Sequence, residues 1–369
     1  MPKNSLNKDV ERHLFFVNTI ILLISSLYIK NVCMRQVLAS SFLLFSLVSQ
    51  AQVGGSDIYS FLNMAHSPRQ NALGGINVTS YDENGSQVLY NPASLNSEMH
   101  GRLNVNYGNF YGDVNMGNAT YTTTLKNGRN LHFGVTFMGY GEIDGYNEYG
   151  ESIGTFTGND IAVSMGYSYQ IEDSDFYIGS NIKFISSSLE SYTSYGIAAD
   201  IGGMYVNPET GWNAGVSFRN LGFQLTSYQD ERESLPFTIT AGVSKQLENV
   251  PIRWHFTLEN LQQWEIAFSN PNRTQVGLDG SVTEEEVGFF DHALRHVIIG
   301  ADLFTNKKFN LHLAYNFRRG EEMKVLEQRS FAGFSAGFSL KLNRIHFEYS
   351  HSRVTLAGNT NLLGLSIKL

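Results

Sequence analysis

Leu131, Phe133, Val135 and Phe137 take every second position of a run in which His132, Gly134 and Thr136 take the others, and this spacing recurs to the last residue of the chain. A period of two sends alternate side chains to opposite faces of a strand, whereas a half-buried helix repeats near 3.6. The same pattern marks Ile161/Val163/Met165/Tyr167/Tyr169, Tyr195/Ile197/Ile201, Trp212/Ala214/Val216/Phe218, Phe237/Ile239/Ala241/Val243 and Ile252/Trp254/Phe256/Leu258. It continues through Val297/Ile299/Ala301/Leu303, Phe309/Leu311/Leu313/Tyr315/Phe317, Ala332/Phe334/Ala336/Phe338/Leu340, Ile345/Phe347/Tyr349 and Leu363/Leu365/Ile367/Leu369. Weaker segments near 101–107, 113–126 and 175–188 bring the expected number of strands to 14, an even count.

The links between these segments alternate in length. Lys126-Asn127-Gly128-Arg129, Glu172-Asp173-Ser174-Asp175, Asn207-Pro208-Glu209-Thr210-Gly211, Glu248-Asn249-Val250-Pro251, Thr305-Asn306-Lys307-Lys308 and Leu342-Asn343-Arg344 carry tight-turn residues. Between them lie long polar stretches at 141–158, 226–235, 261–292 and 318–329. Short turns on one rim and long loops on the other predict an all-β fold, a 14-stranded antiparallel transmembrane β-barrel of the bacterial outer membrane. The short rim and both chain ends are then expected in the periplasm, and the long loops outside the cell. A soluble β-sandwich also alternates, but its second face meets water and carries charge. Here that face is mostly Gly, Ala, Ser, Asn and His, which suits a polar lumen.

Composition agrees with this reading. Charged residues make up 16%, against roughly a quarter in ordinary soluble domains, while aromatics reach 13% and glycine 35 positions. Twenty-six Lys+Arg against 34 Asp+Glu, net −8, lacks the basic footprint of a nucleic-acid-binding protein. A single cysteine, Cys33, excludes zinc ribbons and disulfide scaffolds.

Two apolar stretches precede the alternating region. The second, from Met34-Arg35 through residues 38–48 to Ser49-Gln50-Ala51, has the basic start, apolar core and small residues of a signal peptide over residues 34–51, with cleavage between Ala51 and Gln52. Residues 1–33 are then upstream translation with Met34 as the initiator. The competing reading makes 14–29 an extra apolar anchor, although its 16 residues fall short of the about 20 a spanning helix needs. Cleavage leaves a chain without cysteine, with 21 Lys+Arg against 32 Asp+Glu, net −11. Residues 52–100 do not alternate cleanly; 57–62 reads as a short helix, and 72–75 and 91–95 as tight loops. Fourteen strands enclose more space than wall side chains fill, so this segment is expected as a plug in a barrel spanning 101–369.

Val53-Gly54-Gly55, Tyr59-x-Phe61-Leu62, Ser67-Pro68-Arg69, Ala72-Leu73-Gly74-Gly75 and Asn91-Pro92-Ala93-x-Leu95 together resemble the opening of the PorV/PorQ family, FadL-like barrels of the type IX secretion system. The likeness continues through 189–196, Arg219-Asn220-Leu221-Gly222, Leu235-Pro236-Phe237 and 315–320, and the Gly-Gly opening and Leu-Glu-Ser-Tyr segment resemble the PorQ branch most closely. The resemblance implies Gly54, Gly55, Arg69, Gly74, Gly75, Asn91 and Pro92 as structural plug residues. It also implies a non-enzymatic component, with no cofactor, that holds a PorZ-like surface protein of the PorU/PorV attachment complex in an outer membrane of lipid and lipopolysaccharide. The alternative function is FadL-like transport of a hydrophobic small molecule through the lumen.

Candidate chemistry is sparse. Ser180-Asn181-Ile182-Lys183 matches a Ser-x-x-Lys pattern, but that chemistry needs a helix start, whereas i and i+3 on a strand face opposite ways. His255, His296, His312 and His346 fall on polar faces of late strands without metal-ligand spacing. Lumenal hydrogen bonding with Glu259, Asp302, Glu348, Arg219 and Arg253 is the favoured reading, and no metal or catalytic residue is expected. Glu284-Glu285-Glu286 and the Glu142/Asp144/Glu148/Glu151 set are expected as solvated loop charge.

Overall fold

The computed structural model describes residues 57–369 except 111, 127, 229–230, 268–274, 277–281, 284–286, 306, 324–330 and 354–357. The leader with its Ala51/Gln52 cleavage site, Gly54, Gly55 and Glu284–Glu286 therefore lie outside the described residues.

Fourteen strands close into an antiparallel barrel. They are β1 Arg102–Asn109, β2 Asn115–Thr124, β3 Asn130–Tyr146, β4 Ser152–Gln170, β5 Phe176–Leu189, β6 Tyr192–Asn207, β7 Trp212–Thr226, β8 Thr238–Gln246 and β9 Ile252–Leu258. After a loop holding the two-residue strands β10 Gln275–Val276 and β11 Val282–Thr283, the wall resumes with β12 Val297–Leu303, β13 Phe309–Asn316, β14 Phe334–Leu342, β15 Ile345–Arg353 and β16 Asn359–Lys368. β1 closes the circle on β16, with Arg102 opposite Lys368 and Asn109 opposite Asn361. Among the described residues no helix is long and apolar enough to cross a membrane.

The wall is inverted relative to a soluble protein. Phe133, Val135, Val163, Met165, Ile182, Phe184, Ile201, Leu363 and Leu365 are exposed on the outer face, while His132, Ser164, Asn181, Lys183, Asp200, His255, His312 and Ser350 are buried inside. An apolar outer band is stable against hydrocarbon and costly against water. The alternation therefore marks a lipid-facing wall.

Because Arg102 pairs with Lys368, the barrel starts and ends on one rim, which also carries the turns at 125–129, 171–175, 208–211, 247–251, 304–308 and 343–344. The other rim is less uniform than the sequence predicts. The expected loop 141–158 is largely ladder, with Glu142–Gly145 paired to Gly154–Thr157 and only 147–151 forming the turn. Alternation lapses there because the hairpin rises above the barrel body, where both faces meet solvent and nothing selects apolar residues for one of them. Glu190 and Ser191 close another hairpin on this rim in two residues, with Glu190 at φ 56°. The long 261–292 link contains helix α2, Phe289–Arg295, besides β10 and β11. The 318–329 link begins with helix α3, Phe317–Glu322, and the strand expected from Ala332 starts at Phe334.

Residues 57–100 run inside the barrel as helix α1, Pro68–Ala72, and single 3₁₀ turns at Ser60–Asn63, Gly85–Leu89, Pro92–Ser94 and Ser97–Met99. The helix expected at 57–62 is thus a shorter 3₁₀ turn displaced toward Asn63. Each turn leaves backbone amides without helical partners, and Asn84, Asn91 and Asn96 side chains accept from Ser86, Ala93 and Glu98 amides in their place. The Asn-rich composition of this stretch is the local reason it folds as caps and turns rather than as a strand.

Candidate functional site: the filled lumen and the loop rim

The interior segment is bonded to the wall all the way round. Tyr59 meets Ser194 of β6 at 2.5 Å, Asn118 of β2 donates to the His66 carbonyl at 3.1 Å, and Asn71 donates to Ser350 of β15 at 3.0 Å. Asn181 of β5 donates to the Val88 carbonyl at 2.8 Å, Ser217 of β7 to the Tyr90 carbonyl at 2.7 Å, and Asn316 of β13 to the Gly74 carbonyl at 3.1 Å. Backbone groups that leave water need such partners, and here the polar lumen wall supplies them.

Arg69 occupies the centre of the largest charge cluster. Its guanidinium pairs with Asp82 of the same segment and, at 3.1 Å, with Asp302 of β12. Asp302 also receives His255 at 2.9 Å and His312 at 2.6 Å, and the far ring nitrogens go to Asn77 and Ser339. Two of the four late-strand histidines, His255 and His312, are thus brought together, around a carboxylate already held by a guanidinium. His296 instead bonds the Glu259 carbonyl at 2.7 Å on the loop rim, and His346 lies near Glu83 and Arg102 at the turn rim. Ser180 faces outward and Lys183 inward, where Lys183 pairs with Asp200 at 2.8 Å and Asn220 at 2.9 Å. The wall therefore separates the two ends of the Ser-x-x-Lys match.

The remaining motif residues set the backbone path. Gly74 and Gly75 have φ of 91° and 113°, and a Cβ at Gly75 would collide with the Arg319 guanidinium. Asn91 donates to the carbonyls of Val78 at 2.9 Å and Gly203 at 3.3 Å, and Pro92 begins a 3₁₀ turn packed on Gly179 and Gly202, where an added Cβ would run into the Pro92 carbonyl and the Asn91 side chain. These wall glycines make room for the interior segment, and their sequence signal is glycine at inward positions of adjacent strands.

Among the described residues a small cavity of about 20 Å³ lies between Leu62, His66, Tyr90, Lys183 and Arg219, room for about one water. Burial lowers the His66 imidazole to about 4, with the hydrogen bond to the Phe61 carbonyl opposing the shift and the nearby Arg219 and Lys183 cations adding to it.

Two apolar features lie outside the lumen. On the loop rim, Phe289, Phe290 and Leu294 of α2 are exposed, and the Trp264 ring lies tilted against Phe289 at 4.9 Å between centroids. On the outer wall, a cleft of about 880 Å³ spans β9 and β12 to β15, lined by Trp254, Ala301, Leu313, Phe334 and Ala336 and reaching Arg353.

No family model matches the chain, and no curated protein matches it. Among solved structures it is similar to a ΔS2 mutant of TodX, a monoaromatic hydrocarbon channel, with a TM-score of 0.51 and 11% identity over 82% of this chain and 97% of TodX. It is similar to the Ralstonia pickettii toluene transporter TbuX, with a TM-score of 0.49 and 13% identity over 84% of this chain and 100% of TbuX. A Pseudomonas aeruginosa FadL homologue gives 0.46 and 8% identity over 81% and 97%. The closed 14-stranded wall and the TodX likeness agree that the chain has the FadL-like fold of outer-membrane barrels.

Proposed function

We propose that this barrel is a non-conducting outer-membrane platform, a non-enzymatic component of the type IX protein secretion system. Its loop rim faces the cell exterior, its termini the periplasm, and the rim holds a PorZ-like surface protein and through it the PorU/PorV attachment complex. The PorQ-like residue pattern supplies that setting. The observation that carries the reading is the occupied lumen: a path for cargo needs open space, and residues 57–100 lie inside the barrel bonded to wall strands from β2 to β15. A rigid wall with an exposed Trp264/Phe289/Phe290 patch on its loop rim suits recognition. Affinity purification in detergent tests it. A surface protein co-purifies with the intact barrel and is lost with Phe289→Ser/Phe290→Ser while the barrel stays folded; no co-purifying surface protein with the intact barrel overturns the platform.

The second reading is transport of a hydrophobic small molecule, and the fold comparisons favour it over the first, because TodX is a monoaromatic hydrocarbon channel. The apolar wall cleft also fits it. A growth or uptake defect for an aromatic hydrocarbon on deletion of the gene, with secretion intact, would establish this reading in place of the platform.

A further inference from the structure

The wall cleft has a specific origin. Cross-strand pairing aligns Trp254, Ala301, Leu313, Ala336 and His351 in one outward row across β9, β12, β13, β14 and β15. The next outward row toward the turn rim is bulky throughout, with Leu303, Leu311, Phe338 and Tyr349. The next row toward the loop rim holds Ile299, Tyr315 and Phe334. Two alanines in a row flanked by large side chains sink a hollow into a surface that is elsewhere convex. The Tyr315–Phe334 and Tyr315–Phe317 ring pairs, at 4.7 Å and 4.9 Å between centroids, build its wall toward the loop rim. Arg353, opposite Asn359 at the end of β15, stands at that end of the hollow.

We infer that this hollow is a lipid site, holding one acyl chain of an outer-leaflet lipid whose phosphate-bearing headgroup is met by the Arg353 guanidinium. The assignment rests on the outer-membrane reading and on neither choice of partner. The occupant follows from position: the hollow is continuous with the lipid-facing band, its volume is of the size that takes a small organic ligand, and its guanidinium sits where a bilayer places its headgroups. A guanidinium at that depth keeps its charge at the interface while its stem packs on the apolar wall, and it meets phosphate through paired hydrogen bonds.

Trp254 in the row reports occupancy. In the Trp212→Phe/Trp264→Phe full-length protein, reconstituted into phosphatidylethanolamine vesicles with a minor fraction of brominated phosphatidylglycerol, quenching of Trp254 is expected to exceed the bulk fraction about fivefold, the enrichment one surface cation supports. Ala336→Phe, an exposed position, fills the hollow and returns quenching to the bulk value, and Arg353→Gln does so without filling it. Ala119→Phe on β2, three strands round the wall from β15 and outward beside Val105 and Val135, leaves the excess intact. Quenching that follows bulk composition in the parent, or an excess insensitive to both cleft variants, overturns the site. Equal enrichment of a brominated neutral lipid overturns the headgroup assignment. Absence of quenching in fully brominated vesicles would instead show that the chain does not embed, which is failure of the outer-membrane reading and not of this site.

Discussion

At the scale of single residues, the charges taken out of water are where losing one partner costs most. Arg69 bridges Asp302, which is buried, and Asp82, whose side chain is 23% exposed, and removing one member of such a group strands the others. Arg69→Met is expected to cost about 3–5 kcal/mol, read as a lower urea midpoint for folded barrel on unheated gels, whereas Arg318→Met, whose pairing with Glu322 is half-exposed, costs under about 1 kcal/mol. Protonation offers a second probe. His66 in the folded chain lies near 4, below its ordinary 6.5. The unfolded chain thus binds the proton first, and the stability this buried neutral ring contributes is complete above 6.5 and lost progressively as pH falls toward 4. Burial works to raise the Asp82 carboxyl, but Arg69 and Lys341 outweigh it and hold it well below the usual range, so its contribution is lost at still lower pH. Protection factors at residues 58–66, taken against the intrinsic exchange rate at each pH, should fall between about pH 7 and about pH 4.5, and His66→Asn should flatten that dependence; protection independent of pH would contradict the burial of a neutral ring.

At the scale of elements, period two suffices to read the wall, because lipid selects one face of every spanning strand and the packed lumen selects the other. The same logic explains what is illegible. Above Gly139 and Gly158 the β3–β4 hairpin has solvent on both sides, so its ladder carries the polar composition of a loop. Residues 57–100 are buried yet polar, since their partners are lumen side chains and not a hydrophobic core; only their turn residues show in the sequence, and the Arg69–Asp302 contact across 233 positions shows nowhere. Arg69, Gly74, Gly75, Asn91 and Pro92 can be picked out only as a pattern, while their tasks of charge pairing, left-handed backbone and capping need the wall in place. Two expectations belong to this scale. Excising 142–156 and joining the strands with a short turn should leave the urea midpoint within about 1 kcal/mol of the parent, because the projecting ladder buries little. Gly75→Ala, at φ 113° and against Arg319, should destabilise by about 1–3 kcal/mol on the same gel assay.

For the whole molecule, the inverted wall and the filled lumen make opposite demands that can be measured separately. A charge on the outer face, as in Val163→Arg, should cost about 2–4 kcal/mol in lipid vesicles and much less in a polar detergent shell. In planar bilayers the intact barrel should pass no stepwise current, while deletion of residues 57–99 should open one; conducting steps from the intact protein would refute the platform and favour the transporter.

The seam joins the first strand of the wall to the last, with Gly101 accepting a backbone hydrogen bond from Leu369 at 2.8 Å. The interior segment ends where that seam begins. Its polar atoms bond strands from β2 round to β15, so their set of partners is complete only when most of the wall has been made, and a sealed cylinder offers no side door for so extensively bonded a cargo. Threading and closure become one event: the segment acts as the mandrel around which the sheet is wound, and a chain cut short before β16 forfeits the filling along with the wall.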